Sequence, residues 1–287
     1  MQYRSVEEFL RKGQATLAKG PVALIFAEDE VEIASTITHH QTLGFAQVVL
    51  FHPPTLSLPP QVAGAVQVAC DLHARQAVLS VMNRVIASCP STTWLYWGYN
   101  AEYLMFPYCE TRKVGELLAF HAEERRLAMM GYVIDLYAGD LRRYANAVDL
   151  DGALFDARGY YALERLGDDG QKRERQFDVF GGIRWRFEEH IPWARRKLDR
   201  VALFRPQKGL EMRTDFTLSD EEMNTVSCPW HHNLTAAVAS FRAAKALKSN
   251  PGSNWAIGTF EWAGSARFDW SSRQLLELGM IEPGQWF

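Results

Sequence analysis

Four short apolar runs constrain this chain more than any other feature: "PVALIFA" (21–27), "AQVVLFH" (46–52), "AVQVAC" (65–70) and "TWLYWGY" (93–99). Each lacks the polar alternation of a half-solvated strand, so each reads as a strand covered on both faces, the pattern of a parallel sheet. Polar or turn residues close every run. Glu28-Asp29-Glu30 follows the first, Pro53-Pro54 the second, Asp71 the third and Asn100-Ala101-Glu102 the fourth. Between the first two, Ile33, Ile37 and His40 recur at one helical turn, and Gly44 is placed to end a helix. Between the last two, Ala77, Val78, Val81, Met82, Val85 and Ile86 form an amphipathic stripe that predicts a helix within 73–88.

This order predicts an α/β fold with a mixed, mostly parallel sheet flanked by helices. In such sheets ligands bind beyond the carboxyl ends of the strands, which would gather Glu28, Asp71, Asn100 and Glu102 on one edge. Further along, 114–130 reads as a charged helix, "YVIDLYA" (132–138) as a strand and "RVALFR" (200–205) as another. Residues 233–248 read as a helix on Leu234, Val238, Phe241 and Leu247, and "NTVSCPWHH" as a strand and turn. The polar stretch 139–200 shows little sustained period and reads as binding loops. With no repeat or linker, one domain over 1–287 is expected, its half 1–138 holding a nucleotide and its half 139–287 an acceptor.

Composition narrows the partners. A net charge of −3 offers no broad cationic field for nucleic acid or anionic lipid. The four cysteines, Cys70, Cys89, Cys109 and Cys228, include no Cys-x-x-Cys pair, which argues against a zinc ribbon or a disulfide framework and fits a reduced, cytoplasmic setting. Neither a signal peptide nor a membrane span is expected, since no apolar run approaches the roughly 20 residues a bilayer demands. Phosphate-loop, nucleophile-elbow and dinucleotide-turn motifs are lacking.

Several residues carry candidate chemistry. Asn100 and Glu102, two apart beyond a strand, read either as a solvated strand end or as oxygen ligands for Mg²⁺ or Mn²⁺. His231 or His232 could complete that shell, or serve as a helix-start pair. His39-His40, near a helix end, is explained by the helix dipole. On an extended segment Arg184 and Arg186 would face one side around Trp185, a layout suited to a diphosphate. Asp178, Glu188 and Glu189 are candidate general bases toward an acceptor hydroxyl. Tryptophans beside polar groups suit sugar rings, and those of "FEWAGSARFDWSS" and "GQWF", if exposed, would instead mark an interaction protein.

The stretches "ALIFAEDEVEIASTITHHQTLGFAQVVLFHP" and "WLYWGYNAEYLMFP" resemble the opening strand, acidic turn, helix, second strand and acidic motif of the family 2-like glycosyltransferases of the GT-A fold, in particular the bacterial branch allied to family 92. "RVALFRP" and "CPWHH" resemble later parts of the same group more loosely. The resemblance implies a GT-A-like fold and transfer of a sugar from a nucleotide-sugar donor to a glycan or other hydroxyl acceptor. It further implies donor contacts at Ala27, Glu28, Glu30 and Asp71, and a divalent cation at Asn100 and Glu102 with His231 or His232. Asn100 and Glu102 stand where that family has aspartates, so a relative that binds sugar without catalysis is the alternative.

Overall fold

The computed structural model describes residues 1–167, 169–226, 234–284 and 286. Along the chain run β1 (Gln2–Tyr3), α1 (Val6–Lys12), α2 (Gln14–Leu17), β2 (Val22–Phe26), α3 (Ile33–Thr42), β3 (Gln47–His52), β4 (Val66–Ala69), α4 (Ala77–Ser88), β5 (Leu95–Tyr99), β6 (Glu102–Met105) and α5 (Val114–Glu123). After them come β7 (Ala128–Tyr137), β8 (Leu154–Asp156), β9 (Tyr161–Leu166), β10 (Lys172–Phe180), α6 (Gly182–Arg186), β11 (Asp199–Phe204), β12 (Ala236–Ser240), α7 (Arg242–Ser249), α8 (Pro251–Asn254), β13 (Ser265–Arg267) and α9 (Ser272–Glu277). The architecture is α/β, a mixed and mostly parallel sheet with helices at its flanks. No helix among the described residues is long and apolar enough to cross a membrane.

Two compact units share the chain. The first comprises Met1–Tyr103, Thr111–Met130 and Val201–Asn224, the second Leu104–Glu110, Gly131–Arg200 and Thr225–Phe287. In the first unit the four runs lie side by side: β1, β4, β3, β2 and β5 are parallel neighbours in that order, and β11 pairs antiparallel with β5 at Leu203↔Tyr96. All five residues of β2 and of β5 are buried, which is why neither alternates. The chain leaves β2 toward β3 and β4 on one side and returns to β5 on the other, so the β2/β5 border is a topological switch point.

In the second unit β12 pairs parallel with β7, β8 antiparallel with β7, and β13 with β8. The stretch expected to be loops instead holds the antiparallel hairpin β9–β10, whose exposed polar residues hide its period. Two expected helices are corrected. The one predicted over 114–130 stops at Glu123, because Arg125 takes a left-handed φ of 56° while the amides of Arg125 and Arg126 donate back to the carbonyls of Ala122 and His121. This is a Schellman-type close made without glycine, and Ala128–Met130 then open β7. Of the helix predicted over 233–248, Ala236–Ser240 is a fully buried strand and only Arg242–Ser249 is helical. The small-residue run Ala-Ala-Val-Ala satisfies either period, and pairing with β7 decides it.

Candidate functional site

The switch point is built by Asn100. β2 ends at Phe26, β5 at Tyr99, and the amide of Asn100 donates to the Phe26 carbonyl at 3.1 Å, extending the strand pairing by one step. Its side chain then reaches back across the border. Oδ1 accepts the Glu28 N–H at 2.9 Å, while Nδ2 donates to the Val31 carbonyl at 2.8 Å, to the Asp29 carbonyl at 3.2 Å and to Asp29 Oδ1 at 2.6 Å. Three acceptors on one side and one donor on the other leave a single consistent orientation for the carboxamide. Asn100 has no solvent exposure and holds the loop 28–31 in place.

Glu102 is equally engaged. Its carboxylate is 1% exposed, and Oε2 accepts the N–H of Tyr99 at 2.9 Å, closing the turn in which Ala101 adopts a left-handed φ of 59°. The amide of Ala101 donates to Thr36 Oγ1 at 2.8 Å, tying the same turn to α3. Gly98 permits the close approach: a Cβ there would lie 2.7 Å from the Tyr96 hydroxyl and 3.2 Å from Glu102 Oε2. Gly98→Ala is expected to destabilise the protein by about 1–3 kcal/mol through this overpacking, read as a lowered urea midpoint; an unchanged midpoint would show that the turn yields without cost.

Glu28, Asp71 and Asn100 do follow the carboxyl ends of β2, β4 and β5, with Ala27 buried at the end of β2. Glu30 Oε1 accepts the amide of Ser57, and Asp71 Oδ1 that of His73, so both order the loops of this edge. The bonding of Asn100 and Glu102 bears on the cation expected there. A cation needs converging oxygen lone pairs, whereas Asn100 turns its donor side to the acidic loop and Glu102 is buried against backbone. These two residues do not fit a cation. Among the described residues no group of three or more His, Cys, Asp or Glu side chains could hold a metal ion, and His231 and His232 lie outside them.

In the second unit the arginine pair is likewise corrected. Residues 182–186 are helical, not extended, because Gly181 and Gly182 turn the chain at φ 150° and 59°. A Cβ on Gly181 would meet Tyr160 Cδ1 at 2.4 Å, which requires glycine there. Arg184 and Arg186 therefore diverge. Arg184 Nε lies 3.0 Å from Asp135 Oδ2, and its Nη1 donates to the Lys197 carbonyl at 2.9 Å. Arg186 clasps Asp156 through Nε at 2.7 Å and Nη2 at 2.9 Å. Asp156, 1% exposed, also accepts from the Tyr137 hydroxyl and from Trp262 Nε1 at 2.8 Å. Both guanidinium groups thus neutralise buried carboxylates, and a diphosphate would have to displace these bonds.

The candidate bases fare differently. Asp178 accepts from Arg165 Nε at 2.6 Å and faces Lys197 Nζ at 2.8 Å; Arg165 also binds Asp199. Burial raises the pKa of Asp199, and the Arg165 charge opposes the rise. Glu188 pairs with Arg196 at 2.6 Å, whereas Glu189 stands 3.7 Å from His190 and its side chain is 62% exposed. The C-terminal tryptophans are not the exposed patch expected: Trp262 and Trp270 donate to Asp156 and to the Leu150 carbonyl, and Trp286 packs against Phe106 and Tyr108. The Asp135 and Asp156 hubs escaped notice in the sequence, although an aspartate inside the apolar run "YVIDLYA" was a usable signal for Asp135. No protein-family model matches the chain, and no curated protein matches it.

Proposed function

We propose that this chain binds a nucleotide sugar at the carboxyl edge of the parallel sheet in its first unit and transfers the sugar to a hydroxyl acceptor, as a GT-A-like glycosyltransferase. The observation that carries the reading is the pre-ordered 28–31 loop at the β2/β5 switch point, where α/β sheets of this topology take their ligands. The likeness of "ALIFAEDE" and "WLYWGYNAEYLMFP" to glycosyltransferase motifs supports the choice of ligand. Titration calorimetry with uridine and guanosine diphospho-sugars is expected to give one-to-one binding with Kd on the order of 1 mM or tighter, about −4 kcal/mol. Silence across both nucleotide series would sink the reading.

A second reading, sugar-nucleotide binding without transfer, is favoured by one observation: Asp178 and Glu188, two of the three candidate bases, are held in ion pairs. Release of free nucleoside diphosphate from a bound donor, followed with and without saccharide acceptors, separates the two. Turnover that Glu189→Gln abolishes without changing donor affinity would place the base at Glu189.

A further inference from the structure

We infer that the donor seat at the switch point works without a divalent cation at Asn100 and Glu102, and that Asn100 is a positioning residue: its carboxamide acts as a latch that orders the 28–31 loop. For the donor this rests on the reading above; for the latch it rests on geometry alone. The requirement at position 100 is a side chain that both accepts and donates. Oδ1 must receive the Glu28 amide, and Nδ2 must feed the carbonyls of Asp29 and Val31 and the Asp29 carboxylate. Aspartate, the residue a cation seat would call for, supplies no donor and brings a second negative charge to a carboxylate that the Nδ2 atom now meets at 2.6 Å. The same site cannot be optimal for both tasks. Asparagine answers the latch and fails the cation, and Glu102 is buried with Oε2 holding the Tyr99 amide.

The two assignments predict opposite orders for two variants. A latch makes Asn100→Asp less stable than Asn100→Ala, because alanine deletes the bonds while aspartate deletes the donors and adds repulsion. A cation seat makes Asn100→Asp the more stable of the two once Mn²⁺ is present. Thermal melts of the full chain in EDTA and in millimolar Mn²⁺ are expected to order wild type above Asn100→Ala above Asn100→Asp in both buffers. Adding Asp29→Ala to Asn100→Asp is expected to recover part of the loss. Water-proton relaxation with Mn²⁺ alone is expected to be unchanged by Asn100→Ala and by Glu102→Gln, and this arm decides the matter if Asn100→Asp fails to fold. Donor affinity is expected to differ less than twofold between EDTA and Mn²⁺, and to fall about tenfold or more in Asn100→Ala. An Mn²⁺-dependent rise in the Asn100→Asp melting temperature, a relaxation signal lost in Asn100→Ala, or a donor bound only with Mn²⁺ would overturn the inference. Were no nucleotide sugar to bind, the melts and the relaxation would still test the latch, while the donor reading alone would fail.

Discussion

Replacing Asp156 by alanine is expected to destabilise the protein by about 3–5 kcal/mol, the largest single-residue loss foreseen in this molecule. The carboxylate is 1% exposed and receives four hydrogen bonds from three side chains: two from Arg186, one from the Tyr137 hydroxyl and one from Trp262 Nε1. Alanine would leave the Arg186 guanidinium, itself only 13% exposed, as an unpaired buried charge and would take the acceptor from Trp262 Nε1, while the Tyr137 hydroxyl would keep Ser265 Oγ at 2.8 Å. The shortfall comes chiefly from the partners left behind, so the double variant Asp156→Ala, Arg186→Met should regain a sizeable part of it. Urea unfolding of wild type and of both variants measures this. A single variant within about 1 kcal/mol of wild type, or a double variant less stable than Asp156→Ala alone, would show that Asp156 does not hold this cluster together.

Acidification should act on the first unit through two buried histidines. His40 is fully buried, its Nδ1 donates to the Thr36 carbonyl at 2.8 Å, and burial, reinforced by the neighbouring His39, brings its pKa down to about 3. His121 is lowered to about 4, again first by burial and then by the charge of Arg126. Both values lie below the ordinary 6.5, so between these limits the unfolded chain binds more protons than the folded one. The stability is fully present above pH 6.5 and is lost as the pH falls. By pH 5 each histidine is expected to have cost about 2 kcal/mol, from 1.36 kcal/mol per pKa unit over the roughly 1.5 units below 6.5. Asp199, whose pKa is raised by burial, works in the opposite sense wherever it titrates in that window. Unfolding midpoints at pH 7, 6 and 5 should therefore fall steadily, and His40→Gln and His121→Gln should each flatten part of the slope. A midpoint constant from pH 7 to pH 5 would exclude the effect.

The burial of His40 also revises its sequence reading. A histidine at the end of a helix fits a dipole interaction only as a cation, and one that stays neutral into acid does not make it. What the sequence lacked was depth: it placed His40 on the same face as Ile33 and Ile37 without showing that the face is sealed. By contrast β2, β3, β4 and β5 are readable at once, because strands covered on both faces read as near-continuous apolar runs, and runs this short bounded by turn residues favour strand over helix. The location of Asn100 at the end of β5 follows from the same pattern. Its role does not, since "ligand" and "latch" differ only in which partners surround one carboxamide, and those partners come from the loop after β2, some 70 positions earlier. The arginines of 184–186 were misread for a related reason. Their direction depends on a glycine-made reversal at 181–182 and on aspartates at 135 and 156, none of which a local period can register.

The interleaving of the two units has a genetic consequence. The chain passes from one to the other at 103/104, 110/111, 130/131, 200/201 and 224/225, and three of these crossings fall inside β6, β7 and β11. No single cut yields one unit without part of the other, and neither can be lifted out as a contiguous cassette and fused elsewhere. A recombination event that keeps one unit whole therefore also carries part of the other.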